Sequence, residues 1–300
     1  VDFALSEITL VLFTTLAPSG TVAYALVAWR ALACPGQGAR RLVAAVAGIP
    51  LAVCLLGLIA SATHLGNPAN ALYVFMGVGR SPLSNEVAAA VAFFAVAGVA
   101  WMYGFAERVV DWAHRAALAA SMLMGIVFLA TVAMAYHART IVSWDTPFVP
   151  GVLVASAFAG GPLVAWVCVR ALVRPQATLR FGHGCLAVSA AGVVVAVVLL
   201  VAQEHAVADL GNAATSMAHL APLFGPSTLL YASCAVGGWL LMAADARGVT
   251  QAHAADSAGA GDAPPLSLLL AGVSLGLVFA GTFVMRFNFY MTHLTYGISF

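Results

Sequence analysis

The stretch GCLAVSAAGVVVAVVLLVAQE, residues 184–204, carries no charged side chain until its last position. About 20 apolar residues wound as a helix rise about 30 Å, the thickness of a bilayer's hydrocarbon core, so this segment reads as a membrane-crossing helix. On either side of it, similar runs stand at about 7–30, 41–63, 86–106, 114–137, 148–172, 217–243 and 266–286, which makes eight. Each is apolar around its whole circumference, so periodicity does not separate lipid-facing from protein-facing sides.

The rest of the 300-residue chain agrees: 63% of it is hydrophobic and 8% charged, where a soluble domain carries about 25% charge, and the mean hydropathy is +1.00. The expected fold is an all-α polytopic membrane protein, a bundle of about eight transmembrane helices forming one integral membrane domain over residues 1–300. The segment DARGVTQAHAADSAGAGDAPP, residues 245–265, has almost nothing to bury and is expected to be a flexible cytoplasmic linker before the last span. The formal net charge of +1, with charges scattered evenly, provides no basic stripe for a phosphate backbone, so nucleic acid is excluded as a partner. Cys34, Cys54, Cys168, Cys185 and Cys234 stand far apart without a CxxC pair and read as small buried hydrophobes, not as zinc or iron–sulfur ligands. Asp2 and Glu7 precede the first run and no basic residue does, so a secretory signal is not expected and the first helix should be retained.

The protein has no lysine. Arg30, Arg40, Arg41, Arg108, Arg115, Arg170, Arg174, Arg180 and Arg247 fall in or beside the odd-numbered loops, and only Arg80, Arg139 and Arg286 lie toward the other edge. The positive-inside rule then puts the odd loops in the cytoplasm, and both termini and the even loops on the outer, periplasmic side. Prolines 18, 50, 162, 222 and 226 interrupt otherwise helical runs and are expected to kink them. Glu7, His64, Glu86, His137, Glu204, His205, His219 and Arg286 all read as lying near helix ends on the outer edge. A proton pump or ion channel would need such groups in mid-membrane, where a charge costs on the order of 3 kcal/mol. The chemistry is expected at one interface.

The second loop is the least ordinary segment: Ser-Ala-Thr-His-Leu-Gly-Asn-Pro from residue 61, then Gly-Arg-Ser-Pro-Leu-Ser-Asn-Glu ending at residue 86. The backbone leaves and re-enters by the same face, so His64 and Glu86 should stand at similar depth on neighbouring helices. One reading is structural, with Ser84 or Asn85 capping the new helix and Glu86 suited to its positive N-terminal end. The other is a quinol site, which needs an imidazole for the phenolic oxygen, a carboxylate to carry the proton away and an apolar slot for the tail.

At this loop the sequence resembles the DmsC family, the membrane anchor subunits of bacterial dimethyl sulfoxide reductase. The resemblance is carried by THLGNP at 63–68 and VGRSPLSNE at 78–86, with support from LVLFTTLA at 10–17, SWDTPF at 143–148 and RFNFY at 286–290. It implies an anchor in the bacterial inner membrane without metal or haem of its own, bound to a four-cluster iron–sulfur subunit and through it to a molybdopterin catalytic subunit. It further implies menaquinol as the bound substrate, with His64 and Glu86 in its pocket and Arg80, Asn67 and Ser84 beside them. The iron–sulfur subunit is then expected over the second and fourth loops and the C-terminal tail. The sequence departs from the family pattern at Asn67, at Asp145 and through ALYVFMGVG at 71–79.

Two rival readings stand beside this one. A b-haem would need two facing axial histidines, for which His64, His137, His205 and His219 are the candidates. A small-solute transporter would need paired broken helices with midplane polar groups, and the prolines supply only the breaks. The aromatic residues Tyr73, Phe75, Trp144, Phe148, Tyr290 and Tyr296 are expected to form an interfacial belt.

Overall fold

A computed structural model describes residues 2–33, 37–64, 68–172, 179–256 and 268–295. The short helix α1 (Asp2–Ser6) leads into α2 (Ile8–Ala33) and α3 (Gln37–Ala62). A 3-10 segment (Pro68–Gly77) then precedes α4 (Pro82–Tyr103), α5 (Asp111–Ala135), α6 (Phe148–Leu172) and α7 (Leu179–Val207). The single turn α8 (Met217–Leu220), α9 (Phe224–Asp256) and α10 (Leu268–Met291) complete the order. Eight of these helices are long and apolar enough to cross a membrane, and there is no strand among the described residues. A helix is the form in which such a segment satisfies its backbone groups internally, as hydrocarbon requires.

Sequential helices pair as α2–α3, α4–α5, α6–α7 and α9–α10, and α2 packs against α6. These two are the centre of the bundle: 72% and 83% of their spans are buried, against 33% to 39% in the other six. Because lipid gives apolar side chains no incentive to leave it, close packing and interhelical hydrogen bonds must hold the helices together. Both are present. A Cβ placed on Gly20 of α2 would lie 2.6 Å from the Cys54 amide nitrogen of α3, and one on Gly192 of α7 would lie 2.6 Å from the Ala159 nitrogen of α6, so only glycine permits these approaches. Trp101 Nε1 donates to the Ala44 carbonyl (2.7 Å), Tyr24 to Ser121 Oγ (3.0 Å), Ser189 to the Ala159 carbonyl (2.6 Å), Trp239 Nε1 to the Leu186 carbonyl (2.8 Å) and Ser274 to the Gly238 carbonyl (2.6 Å). A buried Arg170–Asp245 ion pair at 3.5 Å ties α6 to α9 toward the arginine-rich edge.

The structure departs from the expected boundaries in two places. The run at 217–243 is broken: α8 ends at Leu220 and α9 starts at Phe224, because Pro222 disfavours the helical conformation at Ala221, which sits at φ −129° and ψ 63°. Residues 245–256 of the expected linker belong to α9, and residues 257–265 lie outside the described residues. Pro18, Pro50 and Pro162 all sit within continuous helices. Cys54, Cys168 and Cys185 are buried free thiols and Cys234 is half-buried, while Cys34 lies outside the described residues.

Candidate functional site

The second-loop corner is built by local rules. Gly79 adopts φ 82°, a left-handed conformation that glycine takes without steric cost, and its amide donates to Asn85 Oδ1 at 2.7 Å. The helix starts earlier than expected, with Ser81 as N-cap and Pro82 in the first turn, where a missing N–H costs nothing. Neither Ser84 nor Asn85 is therefore the cap. Glu86 is the fifth residue of α4, past the first turn, so the helix end does not account for it. Its side chain is buried, and no hydrogen bond or ion pair reaches it among the described residues. A carboxylate at the surface would be solvated by water, and this one is largely deprived of it.

Glu86 lies within electrostatic reach of Tyr136 and Tyr290, which meet edge to face at 6.0 Å. Trp144 packs on Tyr290 (5.8 Å) and stacks on Phe289 (4.4 Å), and it meets the His293 ring edge to face at 5.4 Å. His293 in turn stacks on Phe3 at 4.2 Å. Glu7 closes the arrangement: it acts electrostatically on His293 and holds His64 Nε2 3.2 Å from its Oε2. Burial holds the His293 imidazole below its ordinary 6.5, with the Glu7 carboxylate pulling it back up.

The aromatic wall is pinned by the residues after α10. Ser143 donates to the Thr292 carbonyl, Trp144 Nε1 to Thr292 Oγ1 (3.1 Å), the Val142 amide to the Leu294 carbonyl (2.9 Å) and Asn212 to the Thr295 carbonyl (2.9 Å). Trp144 and Tyr290 are thus buried wall residues and not belt residues, whereas Tyr73 and Phe75 are exposed. Tyr296 lies outside the described residues.

Deeper in the same end, Arg286 is fully buried within α10, five residues short of its end, among Tyr136, Tyr231 and Tyr290. It donates from Nη2 to Ser156 Oγ at 3.0 Å, while its Nε and the nearby Asn288 Oδ1 find no partner among the described residues. A cavity of about 10 Å³ beside them, also lined by Gln203 and Ser227, has the room and polar walls for about one water.

Of the five residues expected at the site, His64 and Glu86 are not bonded to each other: His64 is paired with Glu7, and Glu86 lies within electrostatic reach of Tyr136 and Tyr290. Ser84 is buried against Gly77. Arg80 is exposed, with no side-chain partner among the described residues, and Asn67 lies outside the described residues. Sequence reasoning missed Glu7 as the partner of His64, and it missed His293. The four histidines weighed as haem ligands are arranged separately: His64 with Glu7, His137 with Asp145 at 3.1 Å, His205 on its own helix's Val201 carbonyl, and His219 exposed.

Among the described residues, eight apolar helices, with Glu86, Arg286 and the aromatic wall buried toward one end, define a polytopic integral membrane protein. The family model described as DMSO reductase anchor subunit (DmsC) matches residues 2–292, and the protein belongs to that family, the membrane anchors of molybdoenzyme complexes. It is similar to the C subunit of the anaerobic dimethyl sulfoxide reductase of Escherichia coli (strain K12), 28% identical over 81% of this protein and 79% of that one. It is also similar to the corresponding C subunit of Haemophilus influenzae, 25% identical over 98% of both. With eight spans among the described residues it is a multi-pass protein of the bacterial inner membrane, partnered with a DMSO reductase-type catalytic complex.

Proposed function

We propose that this protein binds and oxidises menaquinol at the wall formed by Trp144, Tyr290 and His293, passing two electrons to an iron–sulfur subunit and through it to a molybdopterin catalytic subunit. The observation that carries the reading is the Glu7–His64 pair at 3.2 Å with a second, buried carboxylate, Glu86, within electrostatic reach of Tyr290. His64 takes a proton from a quinol hydroxyl, and the Glu7 carboxylate, 3.2 Å from its Nε2, stabilises the imidazolium that forms. A base beside a carboxylate is an arrangement suited to general base catalysis. Glu86 serves the second proton, and the aromatic rings receive the planar quinol. Two protons and two electrons leave the quinol together, so the reaction balances without another oxidant.

The arginine distribution supports both termini and the even loops on the outer side, with release of the protons there. The iron–sulfur subunit then docks at this end, over the pinned tail and the 3-10 segment that exposes Leu72, Tyr73 and Met76. His64→Ala in the assembled complex is expected to lower quinol-analogue oxidation about 100-fold or more, with all subunits present on a gel. Loss of the partner subunits from the purified complex would instead make His64 structural and remove the basis of the reading.

A further inference from the structure

On the opposite half of the bundle, the facing surfaces of α2, α5 and α7 leave a cleft of about 370 Å³, within the usual ligand-pocket range. Its walls include Ala25, Leu26, Met122, Ile126, Gly184 and Val188, nearly all apolar. Ile126 and Trp29 are well exposed along it, so in a membrane the cleft opens sideways to lipid. The hydroxyl of Thr21 is satisfied by its own helix, donating to the Ala17 carbonyl at 2.8 Å, so the charged donor of the wall is Arg180. Arg180 stands at one end of the cleft, exposed in the first turn of α7 and without a hydrogen bond or ion pair among the described residues. From Arg180 to Val188 the helix rises about 12 Å, most of the roughly 15 Å hydrocarbon depth of one leaflet.

A long apolar slot that begins at a guanidinium on the arginine-rich edge is complementary to a lipid with an anionic head and an acyl tail. We propose that this cleft is a binding site for an anionic phospholipid, with its phosphate at Arg180 and one acyl tail lying between α2, α5 and α7. The proposal is independent of the quinol site at the other end.

The test uses the purified complex in nanodiscs of mixed phosphatidylglycerol and phosphatidylcholine, with retained phospholipid counted by native mass spectrometry after transfer to detergent. A Cβ at Gly184 would have open space around it, so Gly184→Leu fills the cleft without a clash. The wild type should retain one phosphatidylglycerol that Gly184→Leu loses. Arg180→Gln should weaken the preference for phosphatidylglycerol over phosphatidylcholine about fivefold. Arg180→Gln also reads the site should Gly184→Leu fail to accumulate. Retention of phosphatidylglycerol by both variants at the wild-type level overturns the proposal and leaves the quinol reading untouched. Loss of a co-purifying quinone from Gly184→Leu, together with its quinol oxidation, overturns both.

Discussion

A carboxylate in the second turn of a helix, shut away from water, is difficult to explain by packing, and Glu86 is such a group. Glu86→Gln keeps the shape and removes the charge. It should lower quinol oxidation about 100-fold while leaving subunit assembly unchanged, as measured by activity per assembled complex. Arg286 is a buried cation in the same half of the bundle, satisfied at one nitrogen by Ser156. Ser156→Ala removes that acceptor from a buried guanidinium and should cost about 2 kcal/mol of stability, read as a lower Tm in detergent. His293 contributes a pH dependence. Its folded value lies below 6.5, so the unfolded state binds more protons as the pH falls through that value. Stability is whole above about pH 6.5 and declines below it, and His293→Gln should flatten that decline in thermal unfolding. His64 and Glu86 stood out in the sequence through one loop motif. Glu7 and His293 did not, because their contacts join the first span, the second span and the tail after the last, and no local pattern reports such a meeting.

Among the elements, the eight spans were readable because length and hydropathy alone decide what can cross a bilayer. Their ends were less so. α4 begins at Pro82 rather than near Glu86, since Ser81 and Pro82 cap and start it, and that shift is what moves Glu86 from a helix terminus into the interior. α9, at 33 residues, extends about 50 Å and so outruns a hydrocarbon core of about 30 Å, continuing into a segment whose Ala/Gly/Asp composition suggested a linker. The glycine contacts set the helix spacing. Gly192→Ala puts a methyl group against the backbone of α6, with about 1 to 3 kcal/mol of overpacking as the cost, and should lower the amount of folded protein recovered from membranes.

For the molecule as a whole, the division of labour runs along the membrane normal. One end gathers arginines and the lipid cleft. The other gathers Glu7, His64, Glu86, His293 and the aromatic wall, with the exposed apolar surface of the 3-10 segment beside it. That asymmetry was visible in the placement of charged residues, whereas the wall depends on residues after the last span folding back onto the loop before α6. Quinol binding at that wall is the central claim. Its direct measurement is photolabelling of the assembled complex with a photoreactive quinone analogue, followed by peptide mapping with and without excess quinol. Quinol-protected adducts are predicted on the segments around His64, Trp144 and Tyr290. Protected adducts confined to the α2–α5–α7 cleft, or to any other surface, would contradict it.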